Sequence, residues 1–275
     1  METEISHNTH IVEALIEERS RRLMQRPRLW SALRPALYRL LGYKRAVAMA
    51  DAIADMTGRQ AFDYVSGVVG IQTRAEGTEN IPRSGGLMII GNHPTGLADG
   101  LFVHNVLQSI RPEYMFLANA DALRVVPKAG DLIIPVEWVA DKRTKAKTKQ
   151  TLLEMKAAVA DKRTMVIFPS GRLAVLGVRG LQDQEWMNTA VSFAKKYNIP
   201  VVPLHIKAKN SLLFYMFSWL HRELKDITLF HEMLNKGRQR PRLRFGPVID
   251  PHSLRGNNDN STAQMRAIVE KLGRN

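Results

Sequence analysis

Leu87-Met88-Ile89-Ile90-Gly91-Asn92-His93-Pro94-Thr95-Gly96-Leu97-Ala98-Asp99-Gly100 is the stretch from which the rest of the chain is read. Four apolar residues follow the turn Pro82-Arg83-Ser84-Gly85-Gly86 and predict a short buried strand. Gly91, Pro94, Gly96 and Gly100 permit a tight backbone path, and Leu97 to Leu107 reads as a helix. Strand, tight loop and helix in that order make one arm of an α/β unit. The ligands of such folds lie outside the carboxyl ends of the strands, where His93 falls.

Moving outward, Tyr114 to Ala118, Leu132 to Val136, Met165 to Phe168, Val201 to Ile206 and Leu243 to Val248 read as further strands. Thr144 to Ala160 and Trp186 to Tyr197 read as helices between them. The alternation predicts an α/β fold, a mostly parallel central sheet flanked by helices. Residues 1–70 read as an N-terminal helical extension and 71–275 as the main domain; nothing between them resembles a linker. Within the extension, Ile11 to Met24 reads as one helix. His7 and His10 are expected on a frayed, solvated terminus.

From Arg19 to Arg45 there are nine basic residues and no acidic one, interleaved with Leu29, Trp30, Leu33, Leu37, Tyr38, Leu40 and Leu41. The pattern predicts a basic amphipathic helix starting near Pro27 and broken near Gly42, with Trp and Leu on one face and Arg on the other. Two readings stand: a helix lying on an anionic membrane surface, or an ordinary surface helix packed on the core. The polar start, with Glu2 and Glu4, is unlike a signal peptide. No apolar run reaches the roughly 18 uncharged residues of a membrane span.

Across 275 residues, 40 Lys and Arg face 26 Asp and Glu, a formal charge of +14. That excess points to anionic partners. With 45% hydrophobic and 24% charged residues, the chain has the apolar content to bury a core. The absence of cysteine excludes disulfides, zinc–cysteine sites, iron–sulfur clusters and thiol catalysis. There is no G-x-S-x-G elbow, Walker A loop or G-x-G-x-x-G. His231-Glu232 opens like a metalloprotease motif, but Asn235 stands where the second His belongs, so no metal is expected. No nucleic-acid motif accompanies the charge, so nucleic acid is not an expected partner.

The remaining chemistry is that of His93 and Asp99. A loop that folds back would let Asp99 accept the Nδ1 proton of His93, leaving Nε2 as an outward base. That is a base and its orienter without a protein nucleophile, suited to activating a substrate hydroxyl. The competing reading is a loop histidine beside a helix-capping Asp. Backbone N–H groups around Gly91 to Gly96 are candidates to hold an oxyanion.

Asn92-His93 followed by Asp99, after Glu76-Gly77-Thr78-Glu79-Asn80-Ile81-Pro82, resembles the glycerolipid acyltransferase family, whose best-known members acylate lysophosphatidic acid. Three more stretches resemble its blocks in order: Gly130-Asp131-Leu132-Ile133-Ile134-Pro135-Val136, Ile167-Phe168-Pro169-Ser170-Gly171-Arg172 and Ile199-Pro200-Val201-Val202-Pro203-Leu204. The tail, with Asn210-Ser211, Phe214-Tyr215, Glu232 and Asn235-Lys236, is similar to a hemolysin-like bacterial branch, some of whose members act on lysolipids with amino-acid head groups. Five residues separate His93 from Asp99 where the usual pattern has four, a spacer that branch tolerates. Ser170 replaces the family's glutamate. Val136 replaces an arginine, for which Lys142 or Arg143 are candidate substitutes.

The resemblance implies acyl transfer from a thioester to the hydroxyl of a lysolipid such as 1-acylglycerol-3-phosphate. The alternatives are an amino-acid-containing lysolipid, or an inactive basic membrane-binding protein. It implies His93 and Asp99 as catalytic residues, Asn92 and Pro169 as motif residues, and Ser170, Gly171 and Arg172 as the acceptor site. No cofactor is implied; acyl-CoA or acyl carrier protein is the co-substrate. The implied location is the cytoplasmic face of a membrane, peripheral or monotopic. The run Lys142, Arg143, Lys145, Lys147, Lys149 reads as a solvated helix face toward head groups or carrier. Alternating Arg238, Arg240, Arg242 and Arg244 read as one side of an extended segment, either a membrane- or carrier-facing edge or an exposed strand face.

Overall fold

The computed structural model describes residues 9–137, 143–177 and 180–274. Its strands are β1 (Arg74–Glu76), β2 (Leu87–Gly91), β3 (Tyr114–Asn119), β4 (Ile133–Val136), β5 (Thr164–Ile167), β6 (Val175–Gly177), β7 (Gly180–Gln182), β8 (Val201–Lys207) and β9 (Arg242–Phe245). The first helices are α1 (Ile11–Arg19), α2 (Arg21–Met24), α3 (Pro27–Leu40), α4 (Tyr43–Ile53) and α5 (Gly58–Val69). They are followed by α6 (Leu97–Ile110), α7 (Asp121–Val125), α8 (Lys145–Ala160), α9 (Thr189–Tyr197), α10 (Leu212–Leu220), α11 (Arg222–Ile227), α12 (Leu229–Leu234) and α13 (Asn258–Leu272).

Seven strands pair in the order β1-β9-β8-β2-β5-β3-β4, and β6 pairs with β7 in a separate antiparallel hairpin. Strands β8, β2, β5, β3 and β4 run parallel; β9 opposes β8, and β1 runs with β9. The sheet is therefore mostly parallel, as the alternation of elements predicts. Both of its faces are covered, which is why its central strands read as unbroken apolar runs. Leu87 and Ile89 join a core with Phe102 and Ala61. Met88 and Ile90 face the other layer, with Met155, Ala194 and Met265.

The N-terminal helices are built into the first core: Val12, Ile16, Trp30 and Leu37 share it with Ile89 and Val202. Asp131, from the second family-like block, accepts the N–H groups of Gly58 (2.7 Å) and Arg59 (3.2 Å) and so caps α5. The helix expected over Ile11 to Met24 is broken at Ser20, whose buried hydroxyl donates to Ile16 O (2.8 Å). His10 is not a loose terminal side chain: it accepts the N–H of Val12 (3.2 Å) and meets Asp51 at 2.9 Å. His7 and Lys142 lie outside the described residues.

Helix α3 gathers Leu29, Trp30, Leu33, Leu37 and Leu40 on one side with Arg28 and Arg39 opposite, as expected, but only part of that apolar side is buried. Trp30 and Leu37 turn inward, while Leu29, Leu33 and Leu40 lie outside. The helix expected from Trp186 begins at Thr189, and the last strand stops at Phe245. That strand is not an edge either. It runs between β1 and β8, and Glu76 of β1 pairs with Arg244 at 2.8 Å and Arg242 at 3.7 Å, while Arg238 lies in a short 3-10 turn. Among the described residues, no helix is long and apolar enough to cross a membrane.

Candidate active site

The register pairs Ile90 with Ile167 and Gly91 with Leu204, so the loops after β2, β5 and β8 leave the sheet at one edge. Gly91 suits the crowded exit of β2: a Cβ there would lie 3.1 Å from Leu204 O. Beyond it the chain is held at nearly every polar group. The Asn92 carboxamide pairs with the backbone of β8, donating to Ile206 O (3.0 Å) and accepting the Ile206 N–H (2.7 Å). The His93 N–H donates to Asp183 Oδ1 (3.0 Å), and its carbonyl accepts from Ala174 N (3.0 Å).

Asp99 lies in the first turn of α6 and is fully buried. Its Oδ2 accepts the N–H groups of Thr95 (2.9 Å) and Gly96 (3.0 Å), and its Oδ1 accepts the Thr95 hydroxyl (2.5 Å). The back-folded loop therefore closes on the carboxylate as the spacing of five residues allows. His93 Nδ1 lies 3.0 Å from the same Oδ2. The contact is short but not linear, a geometry common in unliganded catalytic pairs. The imidazole stacks on Phe168, with centroids 4.6 Å apart and planes at 12°, and keeps 17% of its side chain exposed. A ring stacked on one face, with one nitrogen beside a carboxylate and an open remainder, is arranged to act as a base.

The N–H groups of His93, Thr95 and Gly96 are already donated to carboxylates. These three are therefore removed from the N–H groups around Gly91 to Gly96 expected as candidates for an oxyanion.

The loop after β5 closes over this pair. The Gly171 N–H donates to Phe168 O (3.0 Å), and Gly171 has a φ of 55°. Ser170 is 5% exposed and donates its hydroxyl to Arg172 O (2.9 Å), so the residue that replaces glutamate closes its own turn rather than facing a ligand. Arg172 is exposed, and its guanidinium has no partner among the described residues. Pro169 is buried; its carbonyl accepts from Met187 N (3.1 Å). On the other face of the sheet it borders an apolar groove of about 140 Å³, lined by Leu117, Leu152, Met155, Ile167 and Ala190. Val136 and Arg143 also line it.

Two features of the site escape sequence reading. Asp183, ninety positions from His93 and just past β7, holds the His93 N–H and the Trp186 indole N–H (2.6 Å). Burial pushes its carboxyl above the usual range; the donated N–H groups oppose this and the Asp99 charge adds to it. No local pattern marks such a residue. The second is a polar cluster under the start of α10, built from tail residues that have family resemblance but no legible role. Glu232 accepts the Ser211 hydroxyl (2.5 Å) and N–H (2.8 Å) and pairs with fully buried Lys236 at 2.9 Å. Burial lowers the Lys236 ammonium. Burial alone would raise Glu232, but Lys236 and Ser211 outweigh it and hold the carboxyl down. The metalloprotease-like His231-Glu232 thus holds a lysine.

Residues 72–207, which contain the dyad and every one of these loops but the tail, match the Acyltransferase family. The chain therefore carries an acyltransferase-family domain. Two proteins described as lyso-glycine lipid O-acyltransferases are similar to it. The one from Phocaeicola vulgatus is 28% identical over 141 residues, 51% of this chain and 48% of that protein. The one from Bacteroides thetaiotaomicron is 26% identical over 145 residues, 52% of this chain and 51% of that protein. The chain spans about half the length of the curated relatives it matches. A crystal structure of the 1-acyl-sn-glycerophosphate (LPA) acyltransferase PlsC from Thermotoga maritima aligns over 81% of this chain and 77% of that one, with a TM-score of 0.44 and 16% identity. The matched segment ends with β8, so α10 to α13 lie outside it.

Proposed function

We propose that the chain transfers a fatty acyl group from a thioester, acyl-CoA or acyl carrier protein, to the hydroxyl of a lysolipid. The observation that carries this reading is the 3.0 Å approach of His93 Nδ1 to a buried, fully anchored Asp99, with the ring half-covered by Phe168 at the open edge of the sheet. Nε2 of His93 removes the proton of the lysolipid hydroxyl, and the alkoxide attacks the thioester carbonyl. The tetrahedral intermediate expels the thiolate, which takes the proton back from the imidazolium. Asp99 keeps the proton on Nδ1 and stabilises the imidazolium. Base catalysis of this kind is worth about 10²–10⁴-fold. The groove beside Pro169 offers apolar walls to an acyl chain.

Arg172, exposed and without a partner among the described residues, is the residue for an anionic head group, phosphate or carboxylate. The names of the two relatives favour a lysolipid with an amino-acid head group, whose free carboxylate would meet Arg172; a lysophosphatidic acid acceptor is the second reading. Residues 1–70 serve as the extension that brings the enzyme to the cytoplasmic face of an anionic membrane, with the exposed arginines of α2 and α3 as its charge.

The test is to incubate the purified chain with lyso-glycine lipid, lysophosphatidic acid and neutral monoacylglycerol, with each donor in turn, and to identify products by mass spectrometry. Acylation of an anionic lysolipid is expected. No product from any combination, by a folded protein on mixed vesicles, would leave only the membrane-binding alternative.

A further inference from the structure

We propose that α10 is a membrane-inserting element, seated at the boundary of head groups and acyl chains of an anionic bilayer. Its residues, Leu212-Leu213-Phe214-Tyr215-Met216-Phe217-Ser218-Trp219-Leu220, carry no charge. One face is committed to the protein: Phe214 is 1% exposed and Phe217 7%. A surface helix in water turns a polar face outward. This one turns out Leu212, Met216, Trp219 and Leu220, exposed by 84, 51, 88 and 62%. Their offsets of four, seven and eight place them on one side of the helix. By contrast α8, on the other layer, exposes Lys145, Lys147 and Lys149.

The charges around the apolar face favour an anionic surface. Between residues 207 and 222 there is no Asp or Glu; Lys207 and Lys209 are exposed ahead of the helix, and His221 and Arg222 follow it in the sequence. Glu223 of α11 accepts the N–H groups of Arg22 (2.9 Å) and Leu23 (3.0 Å), which brings exposed Arg21 and Arg22 alongside. An apolar strip with a terminal Trp and a basic rim is the composition of an interfacial helix. Nine residues make about 14 Å of helix, too short to span a bilayer, so α10 lies along the surface.

The helix is held firmly in this attitude. Its capping residue Ser211 is fixed by Glu232, and Glu232 by buried Lys236. It also stands at the catalytic edge: it follows β8, whose Ile206 is bonded to Asn92, next to His93. Seating α10 in lipid brings the dyad to the depth of a lysolipid hydroxyl. The binding itself does not depend on the acyl-transfer reading and is tested without it.

The test uses the full chain and co-flotation with phosphatidylcholine vesicles, with and without phosphatidylglycerol. The variant Leu212→Ser/Met216→Ser/Trp219→Ser should lose about tenfold or more in partitioning at both low and high salt, because the lost term is apolar. Trp219 should give a blue shift of emission on anionic vesicles that Trp219→Phe abolishes. Those side chains touch solvent, so the thermal midpoint should be kept; should the triple variant not fold, Leu212→Ser alone carries the comparison. Partitioning equal to the parent's, or an unchanged Trp219 emission, would overturn the proposal. So would a vesicle-free dimer, seen by sedimentation, that the triple variant dissolves, since the face would then belong to a second copy.

Discussion

The loops after β2 and β5 leave neighbouring parallel strands at the same edge, yet they are built in opposite ways. From Asn92 to Gly96 the chain is tied to β8, to Asp183, to Ala174 and to Asp99. From Ser170 to Arg172 the loop bonds mainly to itself and ends in an exposed guanidinium. Reaction geometry tolerates little displacement, so a base is best held by many short contacts. A long side chain that meets a head group benefits from reach and adaptability. The difference is what the proposed roles require, chemistry at the first loop and recognition at the second.

The largest effect that can break this contrast is on the dyad. His93→Ala should lower kcat by about 10²–10⁴-fold with the fold intact. Asp99→Asn is the sharper test. An Asn oxygen can keep the two backbone N–H groups and Thr95 can reverse its hydroxyl, so the cap survives while the charge beside Nδ1 is lost. A loss of turnover without a loss of thermal stability is expected. Near-normal turnover in His93→Ala would remove His93 from the chemistry, and in Asp99→Asn would remove the carboxylate charge from it.

Next is Asn92→Leu, which takes both carboxamide bonds from Ile206 and orphans that backbone. About 2–4 kcal/mol of stability should go, seen as a drop in Tm of roughly 3–7 °C, together with a fall in kcat and little change in KM. An unchanged Tm would show that the first loop does not depend on its tie to β8.

The strand it grips has its own pH dependence. His205, beside Ile206, is held down to about 4 by burial and by the charges of Arg244 and Lys207, with Glu270 opposing. The folded state refuses a proton that the unfolded chain accepts below its ordinary value near 6.5. Stability should therefore be level above that value and decline as pH falls toward about 4, by on the order of 1–2 kcal/mol once partial exposure is discounted. Urea midpoints across this range should show it, and His205→Gln should flatten the upper part of the decline.

The smallest effects belong to the second loop. Arg172→Ala should raise KM for the lysolipid about tenfold, near 1.4 kcal/mol, and leave KM for the acyl donor unchanged. Ser170→Ala, losing one bond within a turn, should change either constant by less than about threefold. A large donor effect from Arg172→Ala would reverse the assignment of the two loops.

How much of this was legible in the chain follows from the distances over which its contacts act. The strands announced themselves because a sheet covered on both faces demands unbroken apolar runs, as in Leu87-Met88-Ile89-Ile90. Asn92, His93 and Asp99 were legible because six positions and the glycines between them suffice to close a loop on a helix start. Where the sequence left alternatives or misled, a neighbour decided: the arginines of β9 lie on a strand face between β1 and β8 rather than on an edge, and Ser170 turned inward to close its own turn.

The chain by itself thus determined the fold class and the approach of His93 to Asp99, since both rest on local geometry and on which residues avoid water. Tertiary structure alone decided the rest. Strand order brings Asp183 to His93 across ninety positions and lays Phe168 under the imidazole. Packing likewise settles which face of α10 is covered. Every residue of that helix but one serine and one tyrosine is plainly apolar, so only the surrounding helices could determine that Phe214 and Phe217 turn inward and Leu212, Met216 and Trp219 are left to meet a second solvent.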